Sequence, residues 1–263
     1  MKKYIYLLIS GILLFACNDS FLEKNPKTAL TEETAFLSYD NYRSFMYPCY
    51  NLFTNKSIYT NMTDYAAAST GNGDFSAGMQ TRKSLSQNKW VYGTLTSSTS
   101  SDAWNFEYIR RVNIMLSHLD DGILNDEEIK HWKSVGYFFH SWWYMELIHR
   151  FGDVPWVTSV INDSSEDMYA PREDRMIVAD SVLNRLKWAE ENIGSSENDG
   201  DNTIHQDAIR TALSRFTLRE GTWRKYHHLG DYEKYLNECV RVSKVLIEKY
   251  PTLYYGTDVA PGT

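Results

Sequence analysis

Six residues between Asn72 and Trp104 are of the types that a sugar-binding surface needs. Trp90, Tyr92 and Trp104 offer flat faces for the apolar side of a pyranose ring, and Asn72, Asp74 and Arg82 can bond its hydroxyls. Most of them fall within Asn55 to Ser101, where no helical or strand period survives and Gly71, Gly73, Gly78 and Gly93 are mixed with Ser, Thr and Asn. So long an irregular stretch inside a compact domain is functional or disordered. Aromatics there have less core work to do. Trp90 suits stacking and core packing equally, whereas Trp104, on the apolar face of the helix that follows, suits the core better.

Other chemistry is poorly served. The carboxylate pairs Asp120 and Asp121, Glu127 and Glu128, and Glu190 and Glu191 are adjacent in sequence, so their side chains diverge and do not face each other across a glycosidic bond. His227, His228 and Asp231 read as a surface turn and not a metal site, since neighbouring histidines at a helix end point apart. No nucleophile elbow or phosphate loop is present, and no metal or cofactor is expected. The net charge of -7 argues against a nucleic-acid partner, which would need a basic face. Cys17, Cys49 and Cys239 form neither a disulfide framework nor a metal spacing. Cys49 and Cys239 are read as buried thiols on helices, with a bridge between them as the alternative.

Cys17 has a different role. Lys2 and Lys3 are followed by an apolar run from Tyr4 to Phe15, too short to cross a bilayer, and then by Leu14-Phe15-Ala16-Cys17. That ending is similar to a bacterial lipobox, in which the cysteine becomes the lipidated first residue. Residues 1–16 are then a signal peptide and 17–30 a tether. An ordinary cleaved signal is the alternative.

The elements that would carry these residues are all helices. The stretch Asp126 to Pro155 is the organising one, with Ile129, Trp132, Val135, Phe138, Phe139, Trp142, Trp143, Leu147, Ile148 and Phe151 at three- and four-residue steps and on more than one side. Asp126, read as the cap, opens it with Glu127 and Glu128, His149 and Arg150 close it, and Gly152 and Pro155 turn the chain. Further helices are predicted over about 32–53, capped by Thr31, and over about 102–119, 175–192, 206–226 and 232–250. No convincing sheet appears. Helices in pairs, with small residues such as Ala208 and Ala212 where helices would cross, suggest degenerate tetratricopeptide-like hairpins separated by long irregular loops.

These residues together resemble the SusD/RagB family of surface nutrient-binding lipoproteins. The similarity rests on Cys17-Asn18-Asp19-Ser20-Phe21-Leu22-Glu23 with Pro26, on Leu30-Thr31-Glu32-Glu33, and on Trp104, Tyr108, Ile109 and Asn113. Its most specific part is Tyr144-Met145-Glu146-Leu147 followed by Arg150-Phe151-Gly152-Asp153-Val154-Pro155. The resemblance implies an all-α, SusD-like domain over 31–263, lipid-anchored at the outer membrane. It also implies a glycan or oligosaccharide ligand, a SusC-like TonB-dependent transporter as partner, and no catalysis. Peptide capture, a purely scaffolding role and, less readily, glycoside hydrolysis are the alternatives. Members run to about twice this length, so the chain is expected to be the N-terminal part of the domain, with the apolar face of its last helix left in water.

Overall fold

The computed structural model describes residues 35–54, 104–162, 164–194 and 203–252. Within them the fold is all-α. Six helices follow in order: α1 (Tyr39–Met46), α2 (Glu107–Ser117), α3 (Asp126–Phe151), α4 (Arg175–Asn192), α5 (Gln206–Tyr226) and α6 (Tyr232–Lys249). A 3-10 turn (Tyr47–Tyr50) and one α turn (Asn51–Thr54) extend α1, and a second 3-10 turn (Glu166–Tyr169) lies in the connector before α4. The isolated bridge Val154 to Glu173 is the one extended pairing among the described residues.

Helix α3 is the central rod. Fourteen of its residues are buried, among them Trp132, Phe138, Phe139, Trp142, Tyr144 and Leu147, because α2 covers one side and α4 another. Its cap is Asn125 and not Asp126: the Asn125 carboxamide accepts the Glu128 amide at 3.0 Å, and the Glu128 carboxylate accepts the Asn125 amide at 2.9 Å. This is a reciprocal capping box, and Asp126 is the first helical residue. At the other end Gly152 takes φ 71°, and its amide donates to Ile148 O at 3.1 Å.

Successive helices pack as neighbours, α2 on α3, α3 on α4, α4 on α5 and α5 on α6, which is how stacked hairpins bury a continuous core. Two crossings are made close by glycine. A Cβ built on Gly136 would lie 2.6 Å from Met115 Cε, and one on Gly221 would lie 2.7 Å from Leu236 Cδ2 and 3.2 Å from the Leu236 backbone nitrogen.

Ion pairs stitch α4, α5 and α6 at both ends. Arg224, fully buried, donates to Glu220 at 2.8 Å, to Asp180 at 2.9 Å and to Tyr235 at 3.0 Å, and Glu220 also accepts from Arg175 at 2.8 Å. At the opposite end Glu190 accepts from Arg210 at 2.8 Å and from Arg241, while Asp207 accepts from Arg210 at 3.1 Å and from Lys249 and Tyr250. Burial alone would raise the Glu190 carboxyl, but the bonds from Arg241 and Arg210 outweigh it and hold the group below its ordinary range.

Several expectations need correction. Helix α1 is capped by Ser38, whose hydroxyl accepts the Asn41 amide at 3.3 Å, and ends at Met46, where Pro48 brings a tighter turn. Helix α2 starts at Glu107, not near Asp102, because Asn105 Oδ1 takes the Glu107 amide at 2.7 Å. Cys49 is buried, but in the 3-10 turn, and Cys239 is only half-buried; both are free thiols. On α6 only Tyr235, Glu238 and Val242 are buried. Val240 and Ile247 are 66% and 68% exposed, and on the neighbouring helices Ile177, Leu218 and Trp223 also reach solvent.

Candidate functional site

Of the residues predicted to bind a ligand, Asn72, Asp74, Arg82, Trp90 and Tyr92 lie outside the described residues, as does Cys17. Trp104 is described, and it is not on the buried face of α2. It precedes the helix, 37% exposed, where the chain enters from the irregular stretch. Phe151 meets its ring edge to face at 4.9 Å, Phe106 at 5.4 Å, and the Arg172 guanidinium lies over it at 4.7 Å. A tryptophan fixed by two aromatics and a cation, yet reaching solvent, can present part of its ring to a ligand.

The connector that carries Arg172 is held by residues of the most specific motif together with Asn113 and His140. The Tyr144 hydroxyl donates to Pro155 O at 2.8 Å and accepts the Val157 amide at 2.7 Å. Asn113 donates to Val157 O at 3.2 Å and to Ser159 O at 2.9 Å, and His140 Nε2 donates to Val157 O at 2.9 Å. Asp153 accepts the Arg175 amide at 3.0 Å. Tyr144 and Asp153 of the motif therefore position the corner. Burial pushes the His140 pKa well below the ordinary histidine value, with Arg185 acting in the same direction, so the ring is neutral and carries its proton on Nε2. Tyr144, His140 and Trp156 pack their rings at 4.4 to 4.9 Å, which makes the connector a rigid part of the core surface.

Two concavities were not foreseen from the sequence. The larger, about 680 Å³, runs between the turn after α1, α3, α5 and the end of α6, with Tyr50, Phe53, Trp142, Ile247 and Tyr250 on its walls. Its buried carboxylate, Asp207, is already bonded by Arg210, Lys249 and Tyr250, so the groove offers apolar contact more than partners for hydroxyls. The smaller, about 240 Å³, lies where the end of α3 meets the start of α4 and the last turns of α5, and is lined by arginines and Trp223. His227 stacks on Trp223 at 3.8 Å, with its Nδ1 2.9 Å from Trp223 O, so this histidine belongs to the helix end. Among the described residues no group of three His, Cys, Asp or Glu side chains could hold a metal ion, and no helix is long and apolar enough to cross a membrane.

The model of a family described as SusD-like, starch-binding associating with outer membrane, matches residues 20–218. SusD-like protein P25 of Formosa agariphila is 24% identical over 249 residues, covering 91% of this chain and 45% of that protein. Among solved structures, B. fragilis NanU is similar with a TM-score of 0.62 at 13% identity, over 88% of this chain and 46% of its own. A SusD-like carbohydrate binding protein from Bacteroides vulgatus ATCC 8482 gives a TM-score of 0.55 at 17% identity, over 83% and 46%. The chain thus spans about half the length of these relatives.

Proposed function

This chain belongs to the SusD-like family, and from that premise we propose that it captures a glycan at the cell surface and passes it to a TonB-dependent outer-membrane transporter of the SusC type. The chain is held at the membrane by a lipidated Cys17 and does no chemistry on the glycan. Trp90, Tyr92 and Trp104 stack on the sugar rings, and Asn72, Asp74 and Arg82 bond their hydroxyls. The observation that carries the placement is Trp104: it stands at the exit of the irregular stretch, fixed by Phe151 and Arg172 yet 37% exposed. A modest affinity suits a protein that must release its cargo.

The test is retardation of the purified chain in native gels containing different polysaccharides, beside Trp90→Ala and Trp104→Ala and with a product assay on the same mixtures. Retardation without shortening of the glycan, weakened in both variants, supports the reading. Shortened products would make the protein an enzyme. Retardation unchanged in both variants would move the site away from this stretch.

A further inference from the structure

The smaller concavity has a composition that a neutral sugar does not require. Arg150 from the end of α3, Arg175 from the first turn of α4 and Arg219 from α5 converge on it with His149, over a floor that includes Met145, Ile148 and Phe216. Three guanidinium groups from three helices thus line one hollow. The carboxylate on its wall, Glu220, is 2% exposed and already accepts from Arg175 at 2.8 Å and from Arg224 at 2.8 Å. Its charge is spent on the helix stitching. Glu146, the other carboxylate nearby, is 14% exposed and approaches Arg150 at 3.8 Å, too far for a hydrogen bond. Among the described residues Arg150 therefore makes no hydrogen bond, and its side chain is 48% exposed. Burial raises the Glu146 carboxyl above its ordinary range, and the opposing pull of Arg150 and Arg219 does not outweigh it.

Trp223 supplies the aromatic rim. It is 44% exposed and held by His227 at 3.8 Å and by the Arg175 guanidinium at 4.8 Å. Apolar floor, aromatic rim and an open guanidinium together fit a ligand with one apolar face and one anionic group. A volume of about 240 Å³ is below that of ordinary small-molecule pockets, so it takes a single ring and not an oligomer. We propose that this hollow is a subsite for one carboxylated sugar unit, of the uronic acid type, with the carboxylate on Arg150 and Arg219 and the ring against Ile148 and Trp223. Arg150, rather than a lysine, suits a planar carboxylate because its donors form a matching fork. This rests on the glycan-binding reading and assigns that reading a charge preference at a second site.

The experiment is calorimetric titration of the purified chain with trigalacturonate, maltotriose and triglutamate, repeated with Arg150→Gln and at raised salt. Arg150 is exposed at a helix end, so the variant is expected to fold, and a thermal melt checks this. The expected result is trigalacturonate bound about tenfold or more tightly than maltotriose, with that preference lost in Arg150→Gln and reduced by salt. Equal affinity for the two trisaccharides, or a preference that survives Arg150→Gln, overturns the subsite and leaves glycan capture standing. Triglutamate bound as well as trigalacturonate overturns it in favour of an acidic peptide. Binding of neither trisaccharide overturns the subsite, and glycan capture is then decided on a broader set of oligosaccharides.

Discussion

A single methyl group at Gly221 tests whether the hairpin crossing is as tight as the structure makes it. An alanine there would gain about 1 kcal/mol, because glycine in a helix interior is unfavourable by that amount. Against this, its Cβ would meet Leu236 Cδ2 at 2.7 Å, Leu236 Cγ at 2.8 Å and the Leu236 backbone nitrogen at 3.2 Å. The side chain can swing, but the backbone atom moves only if α6 moves, and α6 is tied to α4 and α5 by the Arg224, Tyr235, Asp180 and Arg241, Glu190 contacts. Overpacking costs typically about 1 to 3 kcal/mol, and the backbone obstacle puts this site in the upper part of that range, so Gly221→Ala is expected to destabilise by about 1 to 2 kcal/mol net. For a domain of this size that is a fall in Tm of about 2 to 8 °C. Gly136→Ala is the control: there the obstacles are Met115 Cε at 2.6 Å and Leu116 Cδ2 at 3.0 Å, the ends of flexible side chains, and the net change stays within about 1 kcal/mol. Thermal melts by circular dichroism compare the two. If Gly221→Ala melts at or above the wild type, or if Gly136→Ala is the more damaging, the close crossing of α5 and α6 is wrong.

Three further outcomes are expected. Arg224→Met removes the fully buried partner of Glu220 and Asp180 and leaves both carboxylates undercompensated, which should cost about 3 to 5 kcal/mol in chemical denaturation; a loss below 1 kcal/mol would show the network to be dispensable. His140 is held neutral by burial, so its folded pKa lies below the unfolded value of about 6.5: the unfolded chain takes the proton first, and stability present above that pH is lost below it. The loss between pH 7.5 and 5.5 approaches about 1.4 kcal/mol and should vanish in His140→Gln, whereas the depressed carboxyls of Asp180, Glu190 and Asp207 act only in more acid solution. Equal pH slopes for wild type and variant would contradict the His140 assignment. Labelled palmitate should enter the wild-type protein in cells and not Cys17→Ser; equal labelling of the two would remove the lipid anchor.

The parts of the fold that were legible carry their own end signals. Helix α3 shows acids at one end, bases at the other and Gly152 with Pro155 beyond, and α4, α5 and α6 end within a residue of where their apolar periods stop. Where the stripe outran the helix, the reading failed: Tyr42, Met46, Cys49 and Phe53 keep the period, but Pro48 breaks the backbone beneath it. Periodicity also cannot say which apolar face has a neighbour: Trp223 keeps the period of α5 and yet reaches solvent, as Val240 and Ile247 do on α6. The motif from Tyr144 to Pro155 was legible as a resemblance, and its physical reason, a tyrosine hydroxyl closing its own turn, needed coordinates. The arginine-lined hollow was illegible for a simpler reason. Arg150, Arg175, Arg219 and Trp223 are scattered over three helices and look like ordinary surface charges until the hairpins stack.

Glycan capture is decided by an array of immobilised neutral and acidic oligosaccharides, probed with the purified chain and with Trp90→Ala and Trp104→Ala. The expected result is binding to at least one glycan, weakened about tenfold or more by the loss of a stacking face. Binding to none would contradict glycan capture, and binding that Trp90→Ala and Trp104→Ala both leave untouched would contradict its placement on this stretch.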